Sequence, residues 1–327
     1  MSVTVFTRNY SDKSIPEPDR KSGLVRVWKA SGLASKEISA MLIAWRLIIK
    51  RRNYDLFHVH QLNVLAFFVT LAGHLTNKPV IIKVANSGAK FDFLTLAKRP
   101  FGRYMVAYLR KSDAQFIALS DPIAQHLIES GIRSERVHII PNGVELAPFE
   151  SPRFSVSDIG FIGRLESVKR PSIILGLALR FPERHFHFFG DGNLRTSLME
   201  HANKLVLNNV TFHGNLSVTT EIYSQVGLII HPSQSEGMSN TLLEAVSREI
   251  RCVVTDLPEN RALFGDCSAI VHYVASPELI DWEYALQRSL NVCTKAVSID
   301  GQLLSKKYDI NYVANAYVDL YRGVTNG

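Results

Sequence analysis

Along the chain, short runs rich in β-branched and aromatic residues alternate with stretches whose apolar residues recur at helical spacing. In the first half, VTVFT (3–7), LVRVWK (24–29), YDLFHVH (54–60), PVIIKVA (79–85), AQFIALS (114–120) and RVHIIP (136–141) predict strands, and helical patterns fall at about 35–51, 61–76, 100–111 and 121–130. Strands separated by helices cross over instead of turning back, so the alternation predicts a parallel sheet covered by helices. A turn-rich passage, PNGVELAPFESPRFSVSD (141–158), interrupts the pattern. It restarts with strands at IGFIG (159–163), HFHFFG (185–190), VTFHG (210–214), GLIIHP (227–232), CVVTD (252–256) and AIVHY (269–273). The expectation is an α/β protein of two Rossmann-like domains, 1–150 and 151–307, with a linker near 145–156. A closing helical pattern, INYVANAYVDLYRG (310–323), suits packing against either domain. In doubly wound sheets ligands sit beyond the carboxyl ends of the strands, so polar residues there become the candidates.

Charge divides the chain the same way. The 327 residues carry 37 Lys and Arg against 30 Asp and Glu; residues 1–150 hold 21 basic and 12 acidic side chains, residues 151–327 hold 16 and 18. Cys252, Cys267 and Cys293 form no CxxC pair, which argues against a disulfide framework or a zinc site and for a reducing cytoplasm. The opening MSVTVFTRNY lacks the apolar core of a signal peptide, and LNVLAFFVTLAG (62–73) is too short to span a bilayer. The segment AKRPFGRYMVAYLRK (97–111) interleaves cations with Phe101, Tyr104 and Tyr108, a composition suited to an anionic membrane surface or to an ordinary solvated helix. No nucleic-acid-binding module accompanies the positive charge.

The second half holds the candidate chemistry. Strand 159–163 runs into GRLESVKR, which places Arg164 at the strand end and Lys169 five residues on. A guanidinium and an ammonium suit a diphosphate, each contact giving about 4 kcal/mol of gross attraction at 4 Å and moderate dielectric; solvated surface charge is the alternative. SEGMSNTLLEA (235–245) follows a strand and opens a helix that Ser239 or Asn240 can cap, with main-chain N–H groups at Gly237, Met238 and Ser239 near its start. Glu236 and Glu244 flank that start. A carboxylate beside a phosphate site is repulsive unless it binds something else, and hydroxyl pairs are what it binds well. A nucleoside diphosphate sugar accounts for the whole set: diphosphate on Arg164 and Lys169, ribose on Glu244, sugar hydroxyls on Glu236.

FIGRLESVKR, FFGDGNLR, VTFHGNL and HPSQSEGMSNTLLEAVS, in this order and spacing, resemble the retaining glycosyltransferases of family 4, which have the GT-B fold. The resemblance implies transfer from a nucleotide-sugar to a glycan or lipid-linked acceptor in polysaccharide or glycoconjugate synthesis. It implies Arg164, Lys169 and Glu236 as catalytic. Donor-binding residues would be Gly163, Gly190, Asp191, Gly192, His213, Gly237, Met238, Ser239, Asn240 and Glu244. His60, Asn86 and Ser87 would stand on the acceptor side, and the last helix (308–327) would join the first domain. No DxD triplet occurs, so neither metal nor cofactor is expected, and a cytoplasmic place at the inner face of the cell membrane is. The sequence departs from the family twice. The strand, glycine-rich loop and helix that usually open the first domain are not found before VTVFT, and Asn86 and Ser87 stand where many relatives carry a histidine. A non-catalytic nucleotide-sugar binder, a subunit needing a partner chain, and a sugar-nucleotide epimerase of the same fold class are the rival readings.

Overall fold

In a computed structural model, described over residues 3–8, 22–27, 35–86, 91–145, 158–216, 219–265, 267, 269–292 and 307–326, each run predicted as a strand overlaps one. The chain divides into two compact units. The first comprises Met1–Leu119, Ile123–Ile139 and Val318–Gly327; the second comprises Ser120–Pro122 and Ile140–Tyr317.

The first unit contains strands β1 (Val3–Arg8), β2 (Ser22–Val27), β3 (Phe57–Val59), β4 (Val80–Val84), β5 (Gln115–Ala118) and β6 (Val137–Ile139). Its helices are α1 (Ser35–Ile49), α2 (Val64–Thr76), α3 (Asp92–Ala97), α4 (Gly102–Lys111) and α5 (Asp121–Glu129). β3–β4–β5–β6 form a four-stranded parallel sheet, whereas β1 and β2 pair in parallel as a separate ribbon. The break in hydrogen-bonded order therefore falls between β2 and β3. The periodicity had grouped all six strands, because it reports burial and says nothing about which strands are neighbours. Ile81, Ile82, Phe116 and Ile117 are fully buried, as expected of central strands covered on both faces. Helix α3, which the sequence reading missed, is one and a half turns long and offers only Phe93 and Leu96 to the core, too little for a periodic signal.

The second unit contains β7 (Asp158–Ile162), β8 (His185–Phe189), β9 (Val210–Gly214), β10 (Leu228–His231), β11 (Arg251–Thr255) and β12 (Val271–Val274). Its helices are α6 (Ser172–Arg180), α7 (Arg195–Lys204), α8 (Thr219–Tyr223), α9 (Asn240–Val246), α10 (Pro258–Phe264) and α11 (Leu279–Leu290). The sheet is wholly parallel in the order β12-β11-β10-β7-β8-β9. From β7 the chain winds outward through β8 and β9, then returns to the other side of β7 with β10. That reversal opens a crevice beyond the carboxyl ends of β7 and β10. Phe161, Phe186, Phe188 and Trp282 pack the core beneath it. The last helix, α12 (Ile310–Asn326), belongs to the second unit through Tyr317 and to the first from Val318.

Candidate functional site

The sequence-selected residues of the second unit lie where β10, β7, β8 and β9, four neighbours in the sheet, release the chain at their carboxyl ends. Main-chain hydrogen bonds lace these loops together: Gly163 N to Phe189 O (2.9 Å), Leu165 N to Asp191 O (2.9 Å), Gly190 N to Gly214 O (2.7 Å) and Gln234 N to Val168 O (2.8 Å). Gly190 has φ of +131°, and a Cβ there would lie 2.0 Å from the Gly163 carbonyl oxygen. We expect Gly190→Ala to cost about 3 kcal/mol of second-unit stability, measured by urea unfolding; a cost under about 0.5 kcal/mol would contradict this packing. Asp191 bonds the Gly192 main chain (2.7 Å) and reaches Arg195 (3.4 Å).

Lys169 and Glu236 meet as an ion pair, their side chains 16% and 10% exposed. Both partners of the Glu236 carboxylate, Lys169 and His231 Nε2 (2.7 Å), bind the same oxygen, Oε1. Oε2 has no partner among the described residues. Burial alone would raise the Glu236 pKa, but the hydrogen bond and charge of His231, with those of Lys169, hold it well below the usual carboxylate range. Glu244 repeats the arrangement: the Tyr223 hydroxyl donates to Oε2 (2.9 Å), while Oε1 has no partner among the described residues. Burial, then Glu244 itself, pushes the Tyr223 pKa far up, so the phenol stays a donor.

The remaining donor-side residues divide. Arg164 is 70% exposed and pairs with Glu166 (2.6 Å), not with Glu236. Ser239 caps α9 by accepting from Leu242 N (3.4 Å), and Gly237 and Met238 are buried beside it. The Met238 sulfur accepts from Asn142 N (3.0 Å) and Asn240 Oδ1 from Asn142 Nδ2 (2.7 Å), so these two side chains already have protein partners. His213 stacks on Phe189 (centroids 4.4 Å apart) and bonds His187 (2.9 Å).

In the first unit His60 is exposed and stacks on His58 at 4.5 Å. Asn86 is tied to Asp92 (2.8 Å), which also accepts from Ala85 N (3.1 Å); Ser87 lies outside the described residues. His58 Nδ1 meets the Tyr321 hydroxyl at 2.6 Å. Burial, then the charges of His60 and Lys83, lower the His58 pKa to about 3. A histidine held neutral in the folded state stabilises it fully above its unfolded pKa near 6.5, and that contribution falls away as pH drops from 6.5 towards 3. The unfolding free energy measured by denaturant titration should therefore fall between pH 7 and pH 5, by up to about 1.4 kcal/mol per pH unit below 6.5, and His58→Gln should flatten the dependence. Among the described residues no group of three or more His, Cys, Asp and Glu side chains is arranged to hold a metal ion.

Sequence reasoning assigned no site role to Arg170, Tyr223 or His231. Arg170 sits at φ of +46° and donates to Pro232 O (2.5 Å) and Thr255 Oγ1 (2.8 Å), tying the Lys169 turn to the ends of β10 and β11. Its place beside Lys169 was the available signal. Tyr223 carried none.

The sequence profile described as Glycosyltransferase Family 4 matches residues 1–147, and that described as Glycosyl transferases group 1 matches residues 155–280. EpsF of Bacillus subtilis is 29% identical over 147 residues, 39% of this chain and 38% of its own. UDP-Gal:alpha-D-GlcNAc-diphosphoundecaprenol alpha-1,3-galactosyltransferase of Escherichia coli is 21% identical over 251 residues, 70% of this chain and 64% of its own. The matched region thus spans less than two thirds of either relative. Anabaena HepE, crystallised with UDP and glucose, superposes with a TM-score of 0.77 at 15% identity, over 92% of this chain and 86% of its own. The lipopolysaccharide outer core galactosyltransferase WaaB superposes with 0.66 at 16% identity, over 93% and 85%. With both profiles matched in order and two parallel α/β units present, the chain belongs to the family 4 glycosyltransferases and has the GT-B fold.

Proposed function

We propose that the protein transfers a sugar, with retention of anomeric configuration, from a nucleoside diphosphate donor to a glycan or lipid-linked acceptor during polysaccharide or glycoconjugate synthesis, as a peripheral protein of the inner membrane face. The observation that carries this reading is the pair of half-satisfied carboxylates. Glu236 and Glu244 are each fixed through one oxygen and present the other, an arrangement suited to hydroxyl donors and wasteful in a purely structural pair. Glu236 takes the transferring sugar and Glu244 the ribose.

Lys169, held in place by Glu236, meets the leaving diphosphate. Arg164 exchanges Glu166 for the same group; an exposed pair of that kind holds by about 1 kcal/mol or less, so the exchange costs little. As the bond from anomeric carbon to oxygen lengthens, charge grows on the departing phosphate oxygen, and cations already placed there stabilise it. The incoming hydroxyl attacks from the face the diphosphate leaves, and the diphosphate oxygen takes its proton. In this reading side-chain cations neutralise the leaving group and no metal enters, so EDTA should leave turnover unchanged. HepE contains UDP and glucose in its crystal and the E. coli relative is named for a diphosphoundecaprenol acceptor, which makes UDP-sugars and lipid-linked diphosphates the first substrates to try.

The experiment is a thermal-shift screen of UDP-, GDP- and ADP-sugars followed by a release assay. A specific donor at about a hundred times its Kd stabilises the fold by about 2.7 kcal/mol. Nucleoside diphosphate should then appear in step with glycosylated acceptor. Conversion of donor without acceptor would mark an epimerase, and binding without turnover a non-catalytic protein; either would sink the proposal.

A further inference from the structure

Helix α1 is apolar nearly all round. Its inner face, Ser39, Ala40, Ile43, Ala44 and Leu47, is buried, and the helix packs on α2. Its outer face carries Ile38 (43% exposed), Met41 (54%), Leu42 (42%), Trp45 (61%) and Ile49 (59%). At 3.6 residues per turn these five fall within a sector of about 100°. A helix hydrophobic on both faces is ordinarily covered on both. The stripe ends in a cationic cluster: Arg46, Lys50, Arg51 and Arg52 are all exposed, the last two on a turn with no buried residue.

A second apolar cluster adjoins the first. Arg99, in the turn between α3 and α4, pairs with Glu37 in the first turn of α1 (2.9 Å). Around that turn Leu94 is 52% exposed, and Phe101 and Tyr104 are each 77% exposed, beside exposed Lys98 and Arg103. Phe101 holds φ of +57°, a conformation uncommon for a bulky residue, with its ring in solvent. Residues 35–111 contain 13 Lys and Arg against 3 Asp and Glu. Of the acids, Asp92 is buried and Glu37 is paired.

We infer that the outer face of α1, with the 94–104 turn, docks on an anionic lipid surface, its apolar side chains entering the acyl boundary and its cations contacting headgroups. The lipid is preferred to a second copy of this chain by charge: a symmetric contact would set one cationic rim against another, whereas an anionic bilayer neutralises it. The pattern is that of a helix lying in the interface plane, and no helix among the described residues is long and apolar enough to cross the membrane. The inference deepens the peripheral placement proposed above, but its test reads binding without turnover, so the two fail separately.

The full chain is sedimented with phosphatidylcholine vesicles alone or with about 30% phosphatidylglycerol, at low and physiological salt. The expected result is binding to anionic vesicles only, weakened by salt, and reduced about tenfold or more by Trp45→Glu/Met41→Glu and by Arg51→Glu/Arg52→Glu. All four positions are exposed, so unchanged melting temperatures should verify folding of the variants. Wild-type-like binding by both variants would overturn the assignment. So would absence of wild-type binding to anionic vesicles, or a lipid-free dimer that Trp45→Glu/Met41→Glu dissociates.

Discussion

Lys169→Ala is expected to lower kcat for sugar transfer by about 10²- to 10³-fold, the range seen when one prearranged electrostatic stabiliser of a developing anion is lost. The effect should fall on turnover more than on donor KM, because the charge that Lys169 meets is largest as the glycosidic bond breaks. The same change exposes a second consequence of the geometry. Glu236, its side chain 10% exposed, would keep only His231 as a partner on Oε1, and leaving a buried charge half-compensated costs about 3 kcal/mol. The two consequences separate by pH. With its pKa held low, Glu236 contributes stability that is present above the unfolded value of about 4.5 and is lost as pH falls below it. In Lys169→Ala that acid-side loss should shrink, and Lys169→Met, which keeps the methylene stem, should lose turnover to the same extent while recovering some packing. Retained turnover in both variants, with the fold intact, would remove Lys169 from the reaction.

Glu244→Ala should weaken nucleoside diphosphate binding by about 10²- to 10³-fold, since a ribose diol makes two hydrogen bonds to a charged oxygen, each contributing about 1.5–3 kcal/mol. The free oxygen is the reason to expect so much: Oε2 is already satisfied by Tyr223, so the loss falls on the ligand side. A double-mutant cycle tests this directly. Wild type should discriminate against a 2′-deoxynucleotide by roughly tenfold or more, and Glu244→Ala should not discriminate at all. Tyr223→Phe leaves the carboxylate but releases its orientation, and should lie between the two. Equal discrimination in wild type and Glu244→Ala would place the ribose elsewhere.

Much of this fold was legible because parallel strands buried on both faces read as short unbroken apolar runs, such as VII at the start of β4 and CVV in β11. What periodicity cannot report is adjacency. It gave β1 and β2 the same standing as β3 to β6, although the two sets form separate sheets. In the site, charge and position singled out Lys169, Glu236 and Glu244, because strand ends and helix starts are where buried polar groups can meet a ligand. Their partners were hidden. Tyr223 comes from a helix with no motif of its own, and the bond that fixes Glu244 spans 21 residues. Arg164 showed the opposite limit: its place in the sequence was plain, but its pairing with Glu166 depends on a rotamer that spacing does not specify.

The hydroxyl of Tyr321 closes on His58 within the first unit, although 263 residues separate them in the chain. A ribosome therefore delivers β3 long before Tyr321, so the His58 contact, and with it the finished packing of this unit, forms only after the closing helix has emerged. Nascent chains stalled before Tyr321 should hold it open to protease, and should close it only once the closing helix has emerged.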